Sequence, residues 1–494
     1  MANVTLAAKA PPAAAGTRAA RDALWQMAGF VALTGCSYVM VMLLARGLGP
    51  AAYGVYGVIY ATLLAAELIS RIGVPQALPK LAAGSGGAAR QIEATGTTIS
   101  LLVSLLAFAA FWLAAPWLAR LLHVADGTDL FRIAAVDLPF FAVYTALNHV
   151  LNGRRNFRGS AIATMIYSFT KVVGTVVMLM GDLTSIEAAL VVNILASVIG
   201  IAAALPFSGA GPLRPTLGER RPILALALPV ALADLCMQTL LALDLWSLNA
   251  LGAAIPLETR GQYVAALNLA RIPNLLAYVL VSMLVPMISH ALASGGPEAA
   301  RRMVLGATRF LLVLVLPACT LIAADAGDIL ALLFTEAYRP GGHFLALLIF
   351  AQGLGFTLLN SLQAMLVGAG AADKGARRIF VALVIGVAAN LILVPLLGAT
   401  GAALAAVLGL ASAAVAVAIA VRRRLGALVE PRVAAGSVLL SLGVGLVAWL
   451  MPADGLLVLV ELAGLFLIYL GLAWAVGLVG RADVAMLRGK AGAH

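Results

Sequence analysis

The sequence predicts an all-α, polytopic integral membrane protein of about 14 transmembrane helices, laid out as two pseudo-repeated six-helix lobes with two further helices at the C-terminus. Composition, the block form of the apolar residues and the placement of the cations predict it. Of 494 residues, 63% are hydrophobic and 11% are charged, whereas soluble domains carry about 25% charged residues. Mean hydropathy is +1.04. Segments such as 99–115, 172–180 and 438–450 show no polar stripe, and helices apolar all round belong in lipid or deep in a membrane bundle.

About twenty apolar residues span the hydrocarbon core. That rule places spans at 24–44, 55–75, 92–115, 131–151, 160–180, 185–207, 222–246, 261–290, 303–323, 343–367, 377–396, 400–421, 433–451 and 455–480. The first apolar stretch is long for a signal-peptide core and lacks a small-residue cleavage site, so it reads as a retained helix.

The net charge of +11 is dispersed in short clusters between apolar blocks, with no basic domain to face nucleic acid. With the N-terminus placed in the cytoplasm, 24 cations fall on that side, including Arg154, Arg155, Arg301, Arg302 and Arg422–Arg424; 5 fall on the other, Arg46, Arg120, Arg132, Arg260 and Arg339. The positive-inside rule then orients the chain, and an error of one span would scramble the alternation. The expected organisation is a cytoplasmic tail (1–22), a first lobe (23–207), a cytoplasmic linker (208–221), a second lobe (222–424), the last two spans (425–480) and a cytoplasmic tail (481–494).

A faint repeat supports the two lobes. Gly54-Val55-Tyr56 opens the second span and Gly261-Gln262-Tyr263 the eighth, an offset of 207. Thr145-Ala146-Leu147-Asn148 resembles Thr357-Leu358-Leu359-Asn360 at an offset of 212. Internal repeats of this kind are characteristic of transporters.

Charges inside spans are costly, about 2.5–3.5 kcal/mol each on insertion scales, and mark partners or water-filled cavities. The cations are Arg71, Lys171 and Arg271; the acids are Glu67, Asp137, Asp234, Asp244 and Glu461. Glu67 lies one turn from Arg71 and can neutralise it along one helix face. Asp234, deep in the seventh span, fits either a protonatable coupling residue or a counter-ion. Asp137, Asp244 and Glu461 lie near predicted helix ends, where interfacial solvation is expected. Asn148 and Asn360 can meet sugar hydroxyls or tie helices together. Cys36, Cys236 and Cys319 lie in apolar blocks without metal-ligand spacing, and no metal or cofactor is expected.

The stretch Leu43-Leu44-Ala45-Arg46-Gly47-Leu48-Gly49-Pro50-Ala51-Ala52-Tyr53-Gly54-Val55-Tyr56 resembles the first helical hairpin of Wzx-like polysaccharide flippases, a branch of the multidrug/oligosaccharidyl-lipid/polysaccharide exporter superfamily. Gly73-Val74-Pro75-Gln76-Ala77-Leu78 continues that pattern. Leu333-Phe334-Thr335-Glu336-Ala337-Tyr338 is similar to a second family element, with Thr335 in place of its Gly. These residues read as hairpin formers rather than transport chemistry: Gly and Pro make the turn and Tyr anchors the next helix.

The resemblance implies a bacterial inner-membrane flippase that passes a polyprenyl diphosphate-linked oligosaccharide outward by alternating access, for surface or exopolysaccharide biosynthesis. It implies a cationic cavity between lobes, with Arg71, Lys171 and Arg271 as candidates, since basic side chains bind phosphate oxygens. The partners it implies are the lipid-linked oligosaccharide, the bilayer and other polysaccharide-assembly membrane proteins. A lipid II flippase of the same superfamily is an alternative, although such proteins resemble a pattern with an arginine on the first span, and 24–44 contains no such cation. A multidrug antiporter suits a cationic cargo and fits the central cations less well. A membrane polymerase or glycosyltransferase needs a catalytic acid or base at an aqueous face. The five histidines share no motif, Asp325, Asp328 and Glu336 form no recognisable constellation, and no phosphate-binding Gly-Lys-Ser/Thr loop is present. A non-enzymatic role is the expectation.

Overall fold

Hydrocarbon offers backbone N–H and C=O groups no water, so a spanning chain must satisfy them within helices or a closed barrel. The computed structural model describes residues 13–71, 89–124, 126–209, 211–213, 216, 220–451 and 455–478, and these form helices and no strand. In chain order the α-helices are α1 (Ala13–Arg71), α2 (Ala89–Leu121), α3 (Gly127–Ala135), α4 (Asp137–Gly153), α5 (Phe157–Met180), α6 (Ile186–Ser208), α7 (Arg220–Leu251) and α8 (Leu257–Leu269). There follow α9 (Pro273–Ala324), α10 (Ala326–Leu333), α11 (Gly342–Leu348), α12 (Phe356–Gly368), α13 (Ala372–Leu425), α14 (Pro431–Leu450) and α15 (Leu457–Ala475).

Among the described residues, 10 helical segments are long and apolar enough to cross a membrane. Three of them are interrupted by a glycine of positive φ: Gly49 in α1, Gly296 in α9 and Gly398 in α13. At each, one helix turns into the next without an intervening loop, so 10 segments is a lower bound on crossings. Large apolar side chains stand exposed along the spans, among them Leu106, Leu113, Met180 and Leu396. In water such a surface would be an aggregation hazard; in a bilayer it faces lipid tails.

The chain divides into two compact units, each described on its own. The first groups the described residues of Met1–Leu43, Ala66–Pro116 and Asp126–Leu232; the second groups those of Leu44–Ala65, Trp117–Ala125 and Ala233–His494. Within the first unit, α6 packs on α4 and α5. One end of this group is held by Arg154, which donates to Glu93 Oε1 (2.8 Å), to Glu93 Oε2 (2.5 Å) and to the Ser208 carbonyl (2.8 Å). Glu93 is buried, and the bidentate fork holds its carboxylate in a fixed geometry.

Within the second unit, the two repeat-related helix starts cross by direct backbone contact. A Cβ on Gly54 would lie 2.7 Å from Gly261 N, and a Cβ on Gly261 would lie 1.7 Å from Pro50 O. The hairpin motif and the later Leu-Phe-Thr-Glu-Ala-Tyr element also meet here. Arg46 donates to the carbonyls of Leu332 (2.7 Å) and Leu333 (3.0 Å), and Tyr338 Oη to that of Ala45 (2.8 Å). Tyr53, Phe334 and Tyr338 bury their rings together. Asn268 Nδ2 donates to Tyr53 Oη at 3.0 Å, and Gln262 Nε2 to the Ala337 carbonyl at 2.8 Å. The motif residues thus hold the unit together, as expected of hairpin formers. The segment 73–78 lies outside the described residues.

The last two helices pack on the long helix α9 through Val313, Leu321, Val433, Val444, Ala448, Tyr469 and Ala473. Arg309 ties the end of this contact by donating to the carbonyls of Leu478 (2.5 Å) and Gly477 (3.0 Å).

The glycine crossing makes a stability prediction. Gly261→Ala forces Cβ into the Pro50 carbonyl and should cost at least about 1–3 kcal/mol, the usual range for overpacking. Gly35→Ala, with open space around its Cβ, should be neutral or slightly stabilising. Thermal unfolding in detergent checks both, and equal melting temperatures for the two variants would contradict the close packing.

Candidate functional site

Proline inside a helix removes a backbone donor and clashes with the preceding turn. The sequence places Pro139 and Pro273 inside predicted spans, and shortly before each the regular helix is interrupted while Val136, Ala270 and Ile272 keep right-handed helical angles. The predicted span 131–151 is divided at Val136 into α3 and α4, and the predicted span 261–290 is divided at 270–272 between α8 and α9. A charged residue sits at each break two positions before the proline: Asp137 in Asp137-Leu138-Pro139 and Arg271 in Arg271-Ile272-Pro273. The predicted span 343–367 is also irregular, with a π-helical turn at Ile349–Gly355. Broken helices at membrane depth are tolerated where the irregular backbone lies in protein or lines a cavity.

In the first unit, Lys171 on α5 is buried with its Nζ 4.8 Å from the centroid of the Tyr167 ring. That distance allows a cation–π attraction, which strengthens as water is excluded. Tyr167 stacks on Tyr144 with centroids 4.5 Å apart, and Phe141 packs on both. Gly200 leaves room for the Tyr144 ring: a Cβ there would lie 2.8 Å from it. Lys171 interacts electrostatically with Asp137, and Ser197 on α6 lies beside that carboxylate. Asp137 is 3% exposed, so the solvated helix-end position expected for it is corrected: it is a buried counter-ion.

In the second unit, Arg271 interacts electrostatically with Asp244 on α7. Asp244 Oδ2 accepts from Tyr263 Oη at 2.8 Å, and Oδ1 accepts from the Leu245 backbone N–H at 2.9 Å. Asp244 is 1% exposed, again a correction to the solvated position expected near a helix end. Arg271 is only partly buried, and its Nη2 donates to the Leu241 carbonyl at 3.3 Å, where Gln352 Nε2 donates as well. Asp244 is thus the more buried residue of the two, and Arg271 the more exposed. Arg260, another buried cation, has a structural use: it donates to Asn249 Oδ1 (3.1 Å) and the Gly252 carbonyl (3.0 Å) at the end of α7.

The other candidates separate. Asn148 accepts from Ser160 Oγ at 3.0 Å and joins α4 to α5, a helix tie. Asn360 is exposed on α12. Glu67 is buried on α1, whereas the side chains of Arg71 and Asp234 lie outside the described residues. Asp137, Tyr167, Asp244 and Tyr263 were not singled out as site residues from the sequence. The signal available was a charge two residues before a proline within an apolar run, twice.

Apolar helices in ten or more crossings, broken at buried charges paired within the membrane, define a polytopic transporter build. A profile of the family described as "Polysaccharide biosynthesis protein" matches residues 43–341, and the chain belongs to that family. This bears out the resemblance carried by the hairpin motif. The fold is similar to that of the lipid II flippase MurJ in an inward closed conformation, with TM-score 0.73, 14% identity, and 92% of this chain and 99% of that one covered. An inward-facing multidrug resistance MATE family transporter of the MOP superfamily gives 0.60 at 16% identity, covering 81% and 98% of the two chains. A MOP superfamily transporter from Pyrococcus furiosus gives 0.59 at 18% identity, covering 83% and 95%. No curated protein sequence matches the chain.

Pairing across the membrane interior makes a second prediction. Asp137→Ala removes the counter-ion of a buried lysine and should destabilise by about 3–5 kcal/mol. Adding Lys171→Met should recover a large part of the loss, because the two changes share one interaction. Additive losses in thermal unfolding of the double variant would show that the pair is not coupled.

Proposed function

We propose that the protein flips a polyprenyl diphosphate-linked oligosaccharide from the cytoplasmic to the outer side of a bacterial inner membrane, by alternating access, for surface or exopolysaccharide biosynthesis. The proposal includes fourteen spans with both termini in the cytoplasm, the orientation that the cation alternation favours. The observation that carries it is Arg271: a partly exposed arginine two residues before Pro273, interacting with the buried carboxylate of Asp244. Guanidinium binds phosphate oxygens in a bidentate manner and stays charged at any relevant pH.

Lys171 is the corresponding phosphate-binding candidate of the first unit, and Arg71 a further one. The aromatic group Phe141, Tyr144 and Tyr167 beside Lys171 is packed together in the interior of the first unit and holds the lysine in place. Family membership supports a role in polysaccharide assembly. The likeness to the lipid II flippase supports a lipid-linked cargo but rests on 14% identity, so lipid II itself is the second reading. Glu67 and Asp234 remain candidates for coupling or counter-ion roles. Transport rather than sugar transfer is favoured by family membership and by the charge pairs Lys171–Asp137 and Arg271–Asp244 within the spans.

Arg271→Glu should abolish delivery of lipid-linked repeat units to the outer side while leaving membrane insertion intact. Arg271→Lys, which keeps charge but loses the bidentate fork, should lower it by about 10-fold, the weight of roughly one charge-assisted hydrogen bond. Delivery is read in cells depleted of the wild-type protein. Normal delivery in Arg271→Glu would overturn the assignment of this residue.

A further inference from the structure

Two carboxyl groups outside the charge pairs described above interact at the end of α9 remote from Arg309, where their chain neighbours Ala324 and Leu462 pack on one apolar cluster. Asp325 follows the last residue of α9 and is 2% exposed, and its Oδ2 is fully enclosed with no hydrogen-bond partner. Glu461, in the second turn of α15, points an enclosed and likewise unpartnered Oε2 into the same region and interacts electrostatically with Asp325. A buried carboxylate oxygen without a donor costs free energy unless something positive is supplied. Two carboxylates sharing a site cannot both ionise cheaply.

We infer that Asp325 and Glu461 form a proton-dependent clasp, in which the proton held by Asp325 is donated in a hydrogen bond to the Glu461 carboxylate and fastens the last helix to the end of α9. In the protonated pair one carboxyl O–H donates to the other carboxylate, so each enclosed oxygen gains a partner. With the proton lost, two negative charges face each other across the α9–α15 contact and loosen it. Arg309 closes the opposite end of the same contact, 16 residues earlier or about 24 Å along a helix. The C-terminal helix pair is thus held by a permanent cation at one end and by a removable proton at the other.

Among the described residues, no neighbouring cation replaces the proton. Asp328 on α10 adds a further negative charge, and the guanidinium of Arg339 is engaged by Asp328 Oδ1 and Glu336 Oε1, both at 2.5 Å. Arg46 is occupied by the carbonyls of Leu332 and Leu333. α14 contributes only Arg432, in its first turn and far from its Leu450 end; α11 contributes His343; α12 and the π-helical turn before it contribute no charge. α13 carries its charges at its two ends.

Burial, then the Glu461 and Asp328 carboxylates, push the Asp325 carboxyl from 3.8 up to about 6. A group that holds its proton more tightly in the folded chain stabilises the fold fully below its unfolded value of 3.8 and loses that contribution as pH rises through about 6. The purified protein in detergent should therefore melt about 1 °C higher at pH 5.5 than at pH 7.5 in choline chloride. Asp325→Asn should flatten this dependence and melt above wild type at pH 7.5. Glu461→Gln should move its midpoint to lower pH. Wild-type pH dependence in both variants would overturn the clasp. Stabilisation of wild type at pH 7.5 when sodium replaces choline would overturn the assignment of the ligand as a proton.

Discussion

A charge held inside a bilayer has no water to stabilise it, and the buried cations among the described residues are accordingly met by an acid or by polar oxygens. Lys171 interacts with Asp137 and lies over Tyr167; Arg271 interacts with Asp244, which Tyr263 in turn fixes. These pairs constrain much else. They require helices to approach closely, which Gly200 permits by making room for Tyr144. They also coincide with interruptions of regular helix, where Pro139 and Pro273 each remove a backbone donor beside a charge. A pair of this kind adds little net stability compared with apolar packing, but removing one partner is costly.

The residues that identify the family do a different job. Gly54 against Gly261, Arg46 on the carbonyls closing α10, and Tyr338 on Ala45 weld one hairpin to a later element of the same unit. Their recurrence in the sequence reflects geometry: only glycine allows two helix starts to touch backbone to backbone. The transport chemistry proposed for Lys171 and Arg271 rests on this frame without sharing its residues.

Much of the fold was legible because its cause is local. Apolar runs of span length and the absence of polar stripes are properties of single segments, and they gave the polytopic helical architecture. The candidate site was less legible because pairing is not local: Asp137 and Asp244 lie near the ends of predicted spans, and only the packing of α4 on α6 and α7 beside α8 buries them. The breaks at 136 and 270–272 were readable in kind, since proline interrupts helices. Their coincidence with charges was present in the sequence as two short Asp-Leu-Pro and Arg-Ile-Pro runs. Asn148 and Asn360 show the limit of the repeat: related by sequence, one ties two helices and the other is exposed.

The most direct test of the account is transbilayer movement by the purified protein in sealed vesicles. A polyprenyl diphosphate-linked saccharide placed on one leaflet is followed by its accessibility to a reagent that cannot cross the membrane. The account predicts movement that depends on the protein, fails with Arg271→Glu, and is much slower for the same saccharide on a lipid without phosphate. Equal movement of the charged and uncharged lipids, or movement unchanged in Arg271→Glu, would contradict it.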